Sequence, residues 1–335
     1  MPRPIPSVFE AEVVAIEDLS PTFRRIVLGG EGMRDFGLHE HPLDRRFKLI
    51  IPPRGGDPLF DLPAFFAEQA EAGVSWYQAW LQVDEDVRGS MRTYTVRDWR
   101  DAERELVVDM VLHVEEDGTS GPAAQWAVNA RIGSRLHVVG PSRLGEPNRS
   151  GIEFGHGNAR ELLLVGDETA VPAIASILDH LAEADPSRSD GGVRGRAVME
   201  VPSAADELDL VAPAGIEVVW LPRGEKGVGE LLAPAVRDAV RAERDALGGA
   251  VVGAGQEYEE IDVDSRILWD VPQALTQSAQ GSGAEVGQED RPFYAWIAGE
   301  AGVVKELRRY LVREVGVDRT QVAFMGYWRI GKAEG

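Results

Sequence analysis

The sequence predicts two successive folds: an all-β antiparallel barrel, then an α/β domain built on a parallel sheet. Three observations carry that expectation. The first half of the 335-residue chain is a series of short segments that alternate apolar and polar residues between Gly/Pro turns. The second half has uninterrupted apolar strands separated by helix-length stretches, the pattern of a sheet covered on both faces. Between them lies "GEPNRSGIEFGHGNAR", residues 145–160, polar and glycine-rich, where a boundary is expected. Two domains, 1–150 and 151–335, suit the length.

The elements follow in order. "SVFEAEVVAI" and "TFRRIVLGG" read as half-buried antiparallel strands with Pro21 at the turn between them. "RRFKLIIPP", "RTYTVRDW", "ELVVDMVLHV" and "SRLHVVGPS" continue the pattern, which suggests a small barrel. "GPAAQWAVNA" is its one expected helix, with Pro122 at the first turn. Residues 55–89, rich in Trp and Phe and partly helical, read as an inserted loop. Beyond the boundary, "ELLLVGDE" is an apolar strand and "TAVPAIASILDHLAE" a helix. Strands "RGRAVMEVP" and "IEVVWLP", helix "LLAPAVRDAVRAERDAL", strand "FYAWIAGE", helix "AGVVKELRRYLVREVG" and strand "QVAFMGYW" complete the domain. A long irregular insertion, 248–291, interrupts it, and "ILWDVP" is its candidate docking piece.

Composition bounds the chemistry. A net charge of −21 argues against nucleic acid and anionic membranes as partners. Any anionic ligand must be met by a local basic cluster. The absence of cysteine excludes disulfides, thiolate nucleophiles and Cys-ligated clusters. "MPRPIPSVFEAE" has no basic-then-apolar leader, and no apolar run reaches the ~18 residues of a membrane span. A cytoplasmic protein without stable membrane association is expected.

Four motifs hold candidate chemistry. In Arg92-Thr93-Tyr94-Thr95-Val96-Arg97, strand alternation puts 92, 94 and 96 on one face and 93, 95 and 97 on the other. Arginine binds phosphate bidentately, tyrosine offers a planar ring, and Thr95 a hydroxyl. An exposed strand with salt-bridged arginines is the competing reading. Gly121-Pro122-Ala123 opens a helix whose free N–H groups suit a phosphate, though a plain helix start reads the same. Gly166, Asp167, Glu168 and Thr169 end the first parallel strand, at the edge where open α/β sheets bind ligands. Ala298, Gly299 and Glu300 end a later strand in the same way. No G-x-G-x-x-G fingerprint accompanies them; "VGAGQE" at Val252 lacks a strand–helix context. His39-Glu40-His41 has metal-ligand residue types but no third ligand, so no metal site is expected.

Together, R-x-Y-T-x-R, the "GPA" loop, "VGDETAVPAI", "AWIAGEA" and the terminal "GYWRIG" resemble the siderophore-interacting protein family. These are FAD-dependent ferric-siderophore reductases related to ferredoxin–NADP reductases. The resemblance covers nearly the whole chain; residues 55–89 and 248–291 look longer than the family's usual loops.

The resemblance implies a ferredoxin-reductase-like fold with FAD in the barrel domain and NADH or NADPH in the second. It implies that Arg92 contacts the FAD pyrophosphate, with Thr93 beside it, and that Tyr94 packs on the isoalloxazine. Thr95, the catalytic candidate, would hydrogen-bond near N5. Arg97 would help bind FAD, Val111 and His113 would border the ring, and Gly121, Pro122 and Ala123 would meet the pyrophosphate. Gly166, Asp167, Glu168, Thr169, Ala298, Gly299 and Glu300 would receive the nicotinamide nucleotide. Lys48, Arg143 and Arg329 match positions that hold the ferric siderophore, each equally readable as a surface ion pair. Hydride from NAD(P)H would reduce FAD, and single electrons would pass to Fe(III), whose reduced form hard oxygen donors hold less tightly. Glu200, Asp206 and Glu207 after the second parallel strand favour NADH, while Arg223 in "WLPRGEKG" stands where it would reverse that preference.

Two other readings compete. A general flavin-dependent oxidoreductase would feed electrons to a partner protein, with a ferredoxin on the basic face of "VVKELRRYLVRE" as the candidate. A siderophore-binding iron-release protein would bind the chelate without turnover. Flavin bleaching by NAD(P)H separates the second from the others, and preference for siderophores over dyes and ferredoxin isolates the first.

Overall fold

The computed structural model describes residues 7–53, 59–112, 120–184, 192–242, 251, 267–272 and 292–331. The chain divides in sequence between Pro147 and Asn148 into two compact units.

The first unit is a seven-stranded antiparallel sheet. Its strands are β1 (Ser7–Asp18), β2 (Phe23–Gly29), β3 (Arg46–Ile51), β4 (Ser90–Thr95), β5 (Asp98–Arg100), β6 (Glu105–Val111) and β7 (Arg135–Gly140), in the order β4-β3-β7-β1-β2-β6-β5. Alternate residues face one core: Phe9, Ala11 and Val13 from β1, Phe47, Leu49 and Ile51 from β3, and Leu106, Val108 and Met110 from β6. A period of two is what a sheet with one buried face requires. The two edge strands, β4 and β5, are neighbours in sequence. Val96 N donates to Arg45 O (2.8 Å) and Arg97 N donates to Val107 O (3.0 Å), so the link 96–97 joins the opposite edges of the sheet. The sheet is thereby rolled into a partly closed barrel, and the R-x-Y-T-x-R motif lies along its seam.

Helix α4 (Pro122–Asn129) packs against β3, β4 and β6 and inserts Ala123 and Ala127 into the barrel core. The segment expected as an inserted loop forms three short helices: α1 (Leu62–Glu71), α2 (Trp76–Trp80) and α3 (Glu85–Arg88). Asp61, Ser75 and Asp84 cap their N-termini through side-chain oxygens. Leu62 and Trp80 from these helices cover Ile50 and Val139 on the sheet's outer face. The Arg88 guanidinium lies 4.2 Å from the Trp80 ring centroid. The insertion is therefore a second apolar layer.

The second unit is a six-stranded sheet of β8 (Glu161–Gly166), β9 (Arg194–Val201), β10 (Ile216–Pro222), β11 (Trp269–Asp270), β12 (Phe293–Glu300) and β13 (Val322–Trp328), in the order β10-β9-β8-β12-β13-β11. All pairings are parallel except β11 on β13. All six residues of β8 and all eight of β12 are buried, as the continuous apolar runs require. The helices are α5 (Val171–Ala184), α6 (Leu232–Ala242) and α7 (Ala301–Arg308), the last continuing as a π-helical turn, Arg309–Val315. Val236, Val304 and Leu307 pack on Leu163, Val165 and Ile297.

Strand β11 is the docked part of the long insertion. Leu268 beside it is buried, Trp269 stacks on Tyr327 (6.0 Å, 14°), and Asp270 pairs with Arg308 (2.8 Å) and Arg319 (3.2 Å). "VGAGQE" and the Gly/Ser/Gln-rich stretch lie outside the described residues. Among the described residues no helix is long and apolar enough to cross a membrane.

Candidate functional site

In the first unit, β4 and the start of α4 bring two motifs together. Leu49 opposes Arg92 and Phe47 opposes Tyr94, so Arg92 and Tyr94 share the core-facing side of the seam. Tyr94 is half-buried against that core. Arg92 is half-exposed, and among the described residues its guanidinium is engaged only by Met91 O (2.8 Å, from Nη1). The remaining guanidinium N–H groups can meet an anion.

Gly121 caps α4 with no side-chain acceptor, and Pro122 contributes no N–H. The N–H groups of Ala123 and Ala124 find no acceptor among the described residues. A Cβ built on Gly121 meets nothing within 4 Å among the described residues. Two amides, a helix N-terminus and a guanidinium on packed elements form a donor set that suits a diphosphate. These residues fit the phosphate half of FAD.

The other residues of the motif differ in role. Thr95 is buried and pairs with Arg46. Thr93 accepts a hydrogen bond from Lys48 Nζ (2.5 Å) across the β3–β4 ladder, on the outer face. Arg97 turns to Asp109, with Nε 3.7 Å from Oδ2, and Arg25 binds the same carboxylate through two bonds of 2.7 and 2.8 Å. Asp109 is buried and thus locks β2, β6 and the seam together. Neither Asp109 nor Arg25 was singled out in the sequence; a charged residue inside "ELVVDMVLHV" was the available signal. Val111 ends β6, opposite Phe23, and His113 lies outside the described residues. Arg143 is exposed and has no side-chain partner among the described residues. The His39-Glu40-His41 side chains turn to separate neighbours: Gly145 O, Arg45 and Leu43 N.

In the second unit the strand ends converge as the topology requires. Ala298 pairs with Gly166, so Asp167, Glu168 and Thr169 after β8 lie beside Gly299 and Glu300 of β12. The strand order reverses here, which is the ligand-binding crevice of open α/β sheets. Yet the acidic side chains at this edge are engaged internally. Asp167 is buried; its Oδ1 accepts from Thr169 N (2.9 Å) and Thr169 Oγ1, and its Oδ2 from Glu300 N (2.7 Å) and Trp328 Nε1 (2.8 Å). Burial, with the neighbouring Glu168 charge second, pushes its pKa up to about 7. Glu168 makes a two-oxygen ion pair with Arg223 (2.6 and 2.8 Å). Gly299 has φ 144°, and a Cβ there would stand 2.6 Å from Asp167 Oδ2.

The residues behind the NADH expectation divide. Glu200 is fully buried and accepts from Gly229, Leu231 and Leu232 N, anchoring the start of α6. Asp206 is buried in a capping box with Ser203. Glu207 alone is exposed, and Arg223 is held by Glu168. On the terminal helix, Arg308 is buried against Asp270, which removes it from the basic face of "VVKELRRYLVRE". Arg329 follows β13 and is half-buried.

Comparison with known proteins places these features. The model of the siderophore-interacting FAD-binding domain matches residues 12–144, and that of the siderophore-interacting protein matches 159–331. An uncharacterized protein of Mycobacterium tuberculosis is 31% identical over 96% of this chain and 90% of its own. Ferric vibriobactin reductase ViuB of Vibrio cholerae is 29% identical over 72% of this chain and 66% of its own. The crystal structure of the siderophore-interacting protein SipS from Aeromonas hydrophila is 28% identical and superposes with a TM-score of 0.58, covering 98% of this chain and 94% of that one. A ferredoxin reductase of carbazole 1,9a-dioxygenase, 15% identical, shares the fold with a TM-score of 0.55 over 98% of this chain and 71% of its own. The fold is ferredoxin-reductase-like, an antiparallel half-barrel followed by a mixed sheet.

Proposed function

The chain belongs to the siderophore-interacting protein family, and from that premise we propose that it is an NAD(P)H-dependent, FAD-mediated ferric-siderophore reductase. The observation that supports this reading best is the open donor set of the first unit. Arg92 and Tyr94 share one side of β4, α4 packs on that strand, and the amides of Ala123 and Ala124 find no acceptor among the described residues. Bound there, FAD would supply the step from two-electron to one-electron chemistry that Fe(III) reduction needs.

The protein's own contribution is binding and placement. Arg92 and the α4 amides would hold the diphosphate, Tyr94 would offer its ring to the flavin, and the buried Thr95 would offer a hydroxyl to it. Arg97 acts through Asp109 to keep the seam in place. The nicotinamide nucleotide, NADH or NADPH, binds at the β8 and β12 strand ends. Lys48, Arg143 and Arg329 each offer a cation to an anionic ferric chelate, which a chain of net charge −21 would otherwise repel.

Purification tests the reading. A yellow protein that NAD(P)H bleaches and a ferric siderophore reoxidises supports it. A colourless protein that fails to retain added FAD overturns it. Stopped-flow reduction with NADH against NADPH identifies the electron donor.

A further inference from the structure

We propose that Asp167 and Glu300 are positioning residues for Arg329: they clamp its two neighbours, Trp328 through the indole N–H and Ile330 through the backbone N–H, and do not themselves contact the nicotinamide nucleotide. The proposal rests on the reading of Arg329 as a siderophore-binding cation.

The geometry has three parts. Asp167 Oδ2 accepts from the Trp328 indole N–H (2.8 Å), which fixes the residue before Arg329. Glu300 Oε1 accepts from Ile330 N (3.3 Å), which fixes the residue after it. The two clamps are tied to each other, because Asp167 Oδ2 also accepts from Glu300 N (2.7 Å). Both carboxylates have further internal donors: Thr169 N and Oγ1 on Asp167 Oδ1, and Val303 N on Glu300 Oε2. All four carboxylate oxygens therefore accept a bond from within the domain.

The backbone at this point needs such a device. The β12–β13 register shifts between Gly299 and Glu300, with Gly299 opposite Gly326 but Glu300 opposite Trp328. Tyr327 is the extra residue of a bulge, and bulges re-aim the side chains that follow. Two buried acceptors on the flanking residues fix the backbone of Arg329 and so the direction in which its side chain leaves the strand, which lowers the ordering cost of meeting a ligand. The small residue at 299 is part of the same device, since a Cβ there would stand 2.6 Å from the clamping oxygen.

A double-mutant cycle on the FAD-loaded protein tests this, read by calorimetric binding of a ferric tris-catecholate and a ferric tris-hydroxamate chelate. Trp328→Phe keeps an aromatic ring and removes the clamped N–H together with the five-membered half of the indole. It is expected to weaken chelate binding by about fivefold to tenfold, roughly the net worth of one ordinary hydrogen bond. FAD affinity and the rate of flavin reduction by NAD(P)H should not move. Arg329→Ala should weaken chelate binding at least as much, and adding Trp328→Phe to it should cost nothing more. Glu300→Gln leaves one acceptor oxygen for the two donors Val303 N and Ile330 N, and should weaken chelate binding by no more than Trp328→Phe does. Additive effects of Trp328→Phe and Arg329→Ala, or unchanged chelate binding in Trp328→Phe beside a weakened Arg329→Ala, overturn the clamp and leave the function standing. Unchanged chelate binding in Arg329→Ala overturns the substrate role of that residue, and the clamp with it.

Discussion

In the first unit, Arg92 and the first amides of α4 keep most of their donors unengaged among the described residues, whereas in the second unit the carboxylates at the strand ends turn into the domain. Among the described residues Arg92 gives one bond, to Met91 O, and the amides of Ala123 and Ala124 find no acceptor. Asp167, Glu168, Glu200 and Glu300 each accept two or more internal donors. The difference separates two uses of polar residues at a sheet edge. Donors that find no acceptor among the described residues are the ones the proposed cofactor reading uses. Saturated carboxylates are scaffold, and they leave ligand binding to backbone shape and to the residues they hold.

Glu200→Ala should expose this contrast most strongly. Its carboxylate receives three amides at the start of α6 and is wholly buried. Removing it orphans those donors and should destabilise the protein by about 3 kcal/mol or more. The measurement is the urea midpoint at constant m. A residue that met the cofactor's ribose would instead raise the KM for NAD(P)H with little change in stability.

Asp167 should give the second unit a distinctive pH response. Folding raises its pKa from 3.8 to about 7, because burial disfavours the charge and Glu168 adds repulsion. Between those values the folded state holds the proton that the unfolded chain has released. This group's contribution to stability therefore falls as pH rises from about 4 to about 7, then levels off. Asp167→Asn should remove that decline, read as the difference between wild-type and variant urea midpoints at several pH values. Parallel curves would show that the carboxyl titrates normally.

Arg92→Ala probes the opposite case. The side chain is half-exposed and anchors little, so the melting temperature of the flavin-free protein should stay within about 1 °C, as for surface substitutions generally. FAD affinity should fall about tenfold to a hundredfold, the worth of a charge-assisted bond to phosphate, measured by flavin fluorescence titration. A drop in melting temperature with intact FAD affinity would place Arg92 with the scaffold.

The same contrast explains what was legible in the sequence. Local periodicity reported the strands faithfully: β3 alternates Phe47, Leu49 and Ile51 into the core, and β8 and β12 read as continuous apolar runs. The capping residues Asp61, Ser75 and Asp84 stood in the sequence as signals that 55–89 holds helices, yet the apolar layer they build needs the outer sheet face to be known. The seam was not legible, because Val96 bonds to Arg45 just before β3 and Arg97 to Val107 of β6, at opposite ends of the strand order. Asp109 likewise meets Arg25 from 84 positions away. At the second unit's edge, residue type alone suggested ribose recognition by Glu200, and only burial reveals its three backbone partners. The bulge at Tyr327, next to Arg329, has one local signal, Gly326 inside the strand, and its register needs β12 to be known.

The smallest expected effect concerns Lys48 and Arg143, both proposed to attract an anionic chelate. Arg143 is exposed, with no side-chain partner among the described residues, whereas Lys48 is half-buried and bonded to Thr93. An exposed cation acts through a field that salt screens over roughly 8 Å at physiological ionic strength. Arg143→Ala should therefore raise the KM for a ferric siderophore about twofold to fourfold at low salt, and the effect should vanish toward 0.5 M salt, roughly where screening reaches a few ångströms. Lys48→Ala should raise KM at both salt concentrations, because its geometry is fixed by a bonded neighbour and less of its field passes through solvent. FAD should stay bound in both variants. Loss of flavin from Lys48→Ala would move that residue, and Thr93 with it, to the flavin-holding set; a salt-independent Arg143→Ala effect would mean that Arg143 meets its ligand by direct contact.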